Sequence, residues 1–127
     1  DFIDRKIEFL SSGMKQKTSI VRSIIHDPPV MIFDEPTSGL DILTARNIIS
    51  FIRDCKEKGK CVLFSTHIMR EAERLADRIV LIHRGQILAT GTLEEMRAET
   101  GQVDLDDIFV YFVNKSNTEE ELQAHEF

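Results

Sequence analysis

The segment Val30-Met31-Ile32-Phe33-Asp34-Glu35 constrains this chain more than any other. Four apolar residues run without interruption into two adjacent carboxylates, and Pro36-Thr37-Ser38-Gly39-Leu40-Asp41 follows with the residues of a turn. The apolar run reads as a buried strand of a parallel sheet. Open α/β sheets bind ligands beyond the carboxyl ends of their strands, which is where Asp34 and Glu35 fall. Two uncompensated acids are costly there unless one binds a metal and the other handles a proton. That division of labour is what a phosphate-hydrolysing site needs. An exposed carboxylate pair at a strand–turn junction is the plainer alternative, and the spacing of the neighbouring motifs weighs against it.

Around this strand the pattern alternates between helix and strand. Residues 13–26 read as a helix with Val21, Ile24 and Ile25 on its later apolar face and Ser11 or Ser12 as its cap. Asp27-Pro28-Pro29 ends it. Asp41 caps a second helix in which Ala45, Ile48, Ile49 and Ile52 recur at helical spacing, and Gly59 suits the residue just past its end. Residues 61–65 form a second continuous apolar strand, and residues 69–76 a short helix with Ala72, Leu75 and Ala76 inward. A third strand over 78–83 turns at Arg84-Gly85 into 86–90, so this pair reads as a hairpin. Thr92 and Glu95 fit a capping box that opens a helix through about residue 98, and residues 108–113 read as a short helix packed on the body. Strand, helix, strand, helix, strand implies right-handed crossovers and a parallel sheet. The fold class is therefore α/β, a parallel sheet with flanking helices and a terminal β-hairpin.

The chain of 127 residues is one domain-sized unit or a piece of one, and 42% apolar residues suffice for a core. Its longest apolar runs are strand-length, too short for a membrane span, and its first residues show no secretory signal pattern. A formal charge of −6 argues against a nucleic-acid partner. That excess belongs to the end of the chain. Asp104, Asp106, Asp107, Glu119, Glu120, Glu121 and Glu126 stand there against Lys115 alone, while residues 1–99 balance. Residues 114–127 thus read as a solvated, disordered acidic tail. Cys55 and Cys61 match no metal or redox spacing and read as free thiols of a reducing compartment.

Two further places carry chemistry. Ser11-Ser12-Gly13 starts a helix, where free N–H groups, hydroxyls and a glycine let a phosphate approach closely; an ordinary serine-capped helix is the alternative. His67 follows the second apolar strand within Phe64-Ser65-Thr66-His67, although a lone histidine is often only surface or core filler. His26 lies near a helix carboxyl end, which suits the dipole, and His83 and His125 carry no signal.

Leu10-Ser11-Ser12-Gly13-Met14, then the run from Val30 to Asp41, then Phe64 to His67, resembles in this order the second half of an ATP-binding-cassette (ABC) ATPase. The resemblance covers about residues 5–112. The stretches around Gly13, His26 and His67 are similar to ATP-binding subunits of the ABC-2 exporter type, in particular the NatA-type sodium exporters. Relative to the family's usual LSGGQ, Ser12 stands for Gly and Met14 for Gln. No G-x-x-x-x-G-K-[ST] phosphate loop occurs, since the six glycines stand at 13, 39, 59, 85, 91 and 101. Residues 1–113 are accordingly expected to be the carboxyl-terminal portion of an ABC cassette of the P-loop NTPase class, unable to act alone.

The resemblance implies a role for each motif. Ser11, Ser12 and Gly13 would be the signature that clamps the γ-phosphate of ATP bound on a partner cassette. Asp34 would hold Mg²⁺ through water, Glu35 would be the general base, and His67 the switch histidine. Ser38, Gly39 and Asp41 would belong to the D-loop between paired sites, with Asp41 also a helix cap. The implied cofactors are ATP and Mg²⁺. The implied partners are a second cassette, in a head-to-tail dimer, and an integral-membrane permease at the cytoplasmic face of the cell membrane. A soluble ABC ATPase acting on DNA or ribosomes, or a truncated non-hydrolytic pairing module, stands as the alternative.

Overall fold

The computed structural model describes residues 11–124. The mixed residues 1–9 and His125 lie outside the described residues. The chain divides into two compact units, with the boundary after His67.

In the first unit, helix α1 (Ser12–Ile24) is followed by strand β1 (Val30–Asp34), helix α2 (Ile42–Glu57) and strand β2 (Cys61–Ser65). The two strands pair in parallel, Val30 beside Cys61 and Asp34 beside Ser65. Both strand assignments from the apolar runs therefore hold. Ser11, rather than Ser12, caps α1, its hydroxyl accepting the Met14 N–H at 3.3 Å. Beyond α1, Lys60 Nζ donates to the Pro28 carbonyl at 2.8 Å and pairs with Asp27 at 2.7 Å. The Lys60 hydrogen bond and charge hold the Asp27 carboxyl below its ordinary range. The core of this unit is one-sided. Met31 and Phe33 of β1 are buried, as are Ile48, Ile52 and Cys55 of α2, and Phe33 meets Phe51 edge-on at 6.3 Å. Burial pushes the Cys55 thiol up, as expected of an inert core cysteine.

The expectation of fully buried strands is corrected here. Val30, Ile32 and Leu63 share the opposite face, with Ile32 72% exposed. A continuous apolar run reads as buried on both faces, but burial depends on what covers each face. In this unit α2 accounts for only one.

The second unit contains helix α3 (Met69–Leu75), strands β3 (Ile79–His83) and β4 (Gln86–Gly91), and helices α4 (Leu93–Thr100) and α5 (Leu105–Ala124). The hairpin forms as expected: β3 and β4 are antiparallel, and Arg84 and Gly85 both take positive φ, 48° and 78°, as a tight turn between twisted strands requires. The third strand does not extend the parallel pair, however. Among the described residues β3 pairs only with β4, so there are two two-stranded sheets. The capping box is present, Thr92 Oγ1 accepting the Glu95 N–H at 3.1 Å and Glu95 Oε2 accepting the Thr92 N–H at 2.8 Å.

Ile79, Leu81, Met96, Leu105, Ile108 and Phe112 make one closed core, with Ala72, Ala76, Leu88 and Phe109 packed around it. The helix expected over 108–113 is longer at both ends. It starts at Leu105, whose N–H donates to Glu73 Oε1 at 2.8 Å. At the other end it runs through Ala124, so the residue-113 boundary expected for a disordered tail coincides with no break in the helix.

Candidate functional site

Strands β1 and β2 end side by side, and the loop after each carries the polar residues. Register places Asp34 against Ser65. The Ser65 hydroxyl donates to Asp34 Oδ1 at 2.5 Å. It also accepts the Glu35 backbone N–H at 2.9 Å, and that N–H reaches the Ser65 carbonyl at 3.2 Å as well. Glu35 has φ +46°, the left-handed region that glycine favours. For a residue with a Cβ this costs on the order of 1–2 kcal/mol. The conformation turns the chain sharply out of the strand, and Ser38 N–H closes the turn on the Glu35 carbonyl at 3.1 Å.

The side chain of Glu35 meets His67, with Nδ1 to Oε2 at 2.6 Å. His67 is 69% exposed and Glu35 39%, so the pair faces outward. With the carboxylate ionised, Nδ1 carries the shared hydrogen, and Nε2 remains for an outside partner. Three expected residues, Asp34, Glu35 and His67, are therefore gathered at one end of the parallel pair. Ser65 is the member that sequence reasoning passed over. Its signal lay in matching 30–34 against 61–65, which sets its hydroxyl opposite Asp34.

The other expected residues gather elsewhere in the same unit. A cavity of about 210 Å³ lies between the start of α1 and the loop before α2, lined by Ser11, Gly13 and Met14 on one side and Gly39, Leu40, Asp41 and Thr44 on the other. Asp41 Oδ1 caps α2, accepting the Leu43 and Thr44 N–H groups at 3.0 Å each. Hydrogen bonds from Thr44, side chain first and then backbone, hold the Asp41 carboxyl below its ordinary value. Gly39 has φ +69° and so uses glycine's freedom, whereas Gly13 has helical backbone. A Cβ at Gly13 would rest 3.7 Å from Leu40, ordinary contact, so this unit's own packing does not demand glycine there. Ser38 is exposed and does not line the cavity.

Asp34 and Ser65 offer oxygen donors, the chemistry a hard cation such as Mg²⁺ prefers. No cluster of three or more His, Cys, Asp or Glu placed to hold a metal occurs among the described residues.

Residues 5–73, more than half of the chain, match the family described as "AAA domain, putative AbiEii toxin, Type IV TA system". The chain is 41% identical over 110 residues to the ABC transporter ATP-binding protein NatA of Bacillus subtilis, covering 87% of this chain and 45% of that one. The chain belongs to this AAA domain family, and its relatives are ABC transporter ATP-binding proteins. Other ABC relatives include the ABC-type transporter ATP-binding protein EcsA of Bacillus subtilis, 40% identical over 79% of this chain and 41% of its own length. The Nod factor export ATP-binding protein I of Burkholderia lata is 35% identical over 95% of this chain and 39% of its own. A solved structure described as "Structure of ATP binding subunit of ABC transporter" superposes with a TM-score of 0.77 at 38% identity, over 84% of this chain and 45% of that one. This ABC chain thus spans less than half the length of the relatives it matches. No helix among its described residues is long and apolar enough to cross a membrane.

Proposed function

We propose that this chain is the carboxyl-terminal part of a longer ATP-binding cassette, residues 1–113 belonging to the cassette domain, that hydrolyses ATP to power export through a separate membrane permease. The contact between Glu35 and His67, beside an Asp34 tied to Ser65, carries this reading. Glu35 accepts a proton from the attacking water, and His67 orients that water and the γ-phosphate through its free nitrogen. Asp34 would hold Mg²⁺, which when bound would neutralise charge on the phosphates. Ser11, Ser12 and Gly13 serve ATP bound on a second cassette in a head-to-tail dimer, and Ser38, Gly39 and Asp41 link the paired sites. Two observations support action across an interface. Ser11 and Gly13 line a cavity that includes none of Asp34, Glu35 and His67, and Gly13 is not required by local packing. The cassette works at the cytoplasmic face of the membrane without nucleic acid. Sodium, the cargo suggested by the resemblance of the motifs, is the first to test.

The test is Glu35→Gln in the longer cassette. The amide keeps the shape and loses the proton acceptor, so turnover should fall by about 10²–10⁴-fold while ATP binding persists. Near-normal steady-state hydrolysis would remove Glu35 as the base. The 127-residue chain by itself contains no phosphate loop. Its calorimetric affinity for Mg-ATP should be weaker than roughly millimolar, about −4 kcal/mol.

A further inference from the structure

One hydroxyl reaches both carboxylate residues of the site. Ser65 Oγ has a single hydrogen, which goes to Asp34 Oδ1, and one of its lone pairs takes the Glu35 N–H. The first bond fixes the rotation of the Asp34 carboxylate and leaves Oδ2 without a share in this tie. The second helps hold the backbone of Glu35, at φ +46°, where a residue with a Cβ does not rest unaided. The Glu35 side chain then reaches His67 from that fixed backbone. Ser65 itself is exposed and adds no side chain to the buried core. Removing its hydroxyl would leave the Ser65 carbonyl, at the longer distance of 3.2 Å, as the remaining acceptor for Glu35.

We propose that Ser65 is a positioning residue that sets Asp34 and Glu35 relative to each other; this rests on the roles given to those two residues above. A serine that only decorated the strand end would leave turnover untouched when replaced. A positioning serine acts on kcat, because the orientation of the base and its neighbour matters in the transition state more than in nucleotide binding.

The experiment compares Ser65→Ala, Ser65→Thr and Glu35→Gln in the longer cassette. Steady-state hydrolysis, equilibrium ATP affinity, thermal midpoint and amide hydrogen exchange at Glu35 are measured for each. Ser65→Ala should lower kcat by roughly 10- to 100-fold, with ATP affinity and thermal midpoint unchanged. Its Glu35 amide should exchange faster than in the parent. Ser65→Thr keeps the hydroxyl and should restore both turnover and protection. Parental kcat in Ser65→Ala, or no rescue by threonine, would overturn the proposal. If Glu35→Gln kept full turnover, the assignment of the base would fall instead. The Glu35 amide would then decide alone: unchanged exchange in Ser65→Ala overturns the proposal, and faster exchange rescued by threonine supports it.

Discussion

The two units of this chain divide stability from chemistry. Residues 11–67 hold every residue expected in the site, yet one face of their sheet is open, with Val30, Ile32 and Leu63 exposed. Residues 68–124 hold none of those residues, yet they close a core in which Leu105 and Ile108 are 0% exposed. The first unit keeps its polar residues in place by hydrogen bonds at a strand end, among them Ser65 to Asp34 and Glu35 to His67. The second is organised by side-chain packing and helix caps. Exposed groups held by hydrogen bonds can be reached by a ligand. Packed groups cannot, and they carry the folding energy instead.

The sharpest way to break this contrast is a matched pair of truncations on the 127-residue chain. Leu105→Ala empties a fully buried site and should cost about 2–5 kcal/mol in denaturant unfolding. Ile32→Ala removes a similar volume from the open face and should change stability by no more than about 0.5 kcal/mol. Equal costs would mean that the face of β1 is covered after all.

How far the sequence could be read follows the same division. The bounds of β1 and β2, the Asp41 cap, the Arg84-Gly85 turn and the Thr92–Glu95 box all come from near neighbours in the chain, and all were legible. Pairing was less so. The hairpin partner of β3 was legible, but a third apolar strand after a helix also reads as a further parallel strand, and among the described residues β3 pairs only with β4. The acidic composition after Asn114 said that the segment is solvated, and solvated is not the same as unstructured: Glu, Leu, Gln and Ala between 119 and 124 are good helix formers. Within the site, Asp34, Glu35 and His67 stood out as titratable residues at strand ends. Ser65 did not, because the value of a hydroxyl depends on what register sets opposite it.

A smaller effect tests whether caps matter in the second unit as argued. Thr92→Ala removes the side-chain acceptor of the Glu95 N–H and should lower stability by about 1 kcal/mol. Gly91→Ala should act on the same box, because its Cβ would fall 2.8 Å from Glu95 Oε2, the atom that accepts the Thr92 N–H. The two substitutions should therefore combine to less than their sum, measured as a double-mutant cycle.

The first unit offers a cap that responds to pH. The Asp41 carboxyl lies below its ordinary value of 3.8 in the folded chain, chiefly through its hydrogen bonds with Thr44. Its contribution is in full force above that ordinary value and is lost as pH falls through the lower folded one. Acid titration of stability should therefore lose part of its slope below pH 3.8 in Asp41→Asn, whose side chain still caps but does not titrate. An unchanged acid slope would show that the cap does not couple to folding.

The smallest expected effect concerns the far end of α5. The residues that this helix gives to the core are Leu105, Ile108 and Phe112, with Phe109 beside them. Lys115 lies 6.0 Å over the Phe112 ring and 3.7 Å from Glu99, and the core residues of the helix all precede it. Thr118 beyond it bonds back to the Asn114 carbonyl, within the helix. Deleting residues 116–127 should therefore shift stability by no more than about 0.5 kcal/mol, although it shortens a regular helix. Deleting from residue 108 removes Ile108 and Phe112 together and should unfold the unit or aggregate it, since Ile79, Leu81 and Met96 would lose their cover. If the shorter deletion alone lowered the thermal midpoint by several degrees, the helical extension would be docked through contacts beyond Lys115. The second unit would then owe its stability to more than the closed core that distinguishes it from the first.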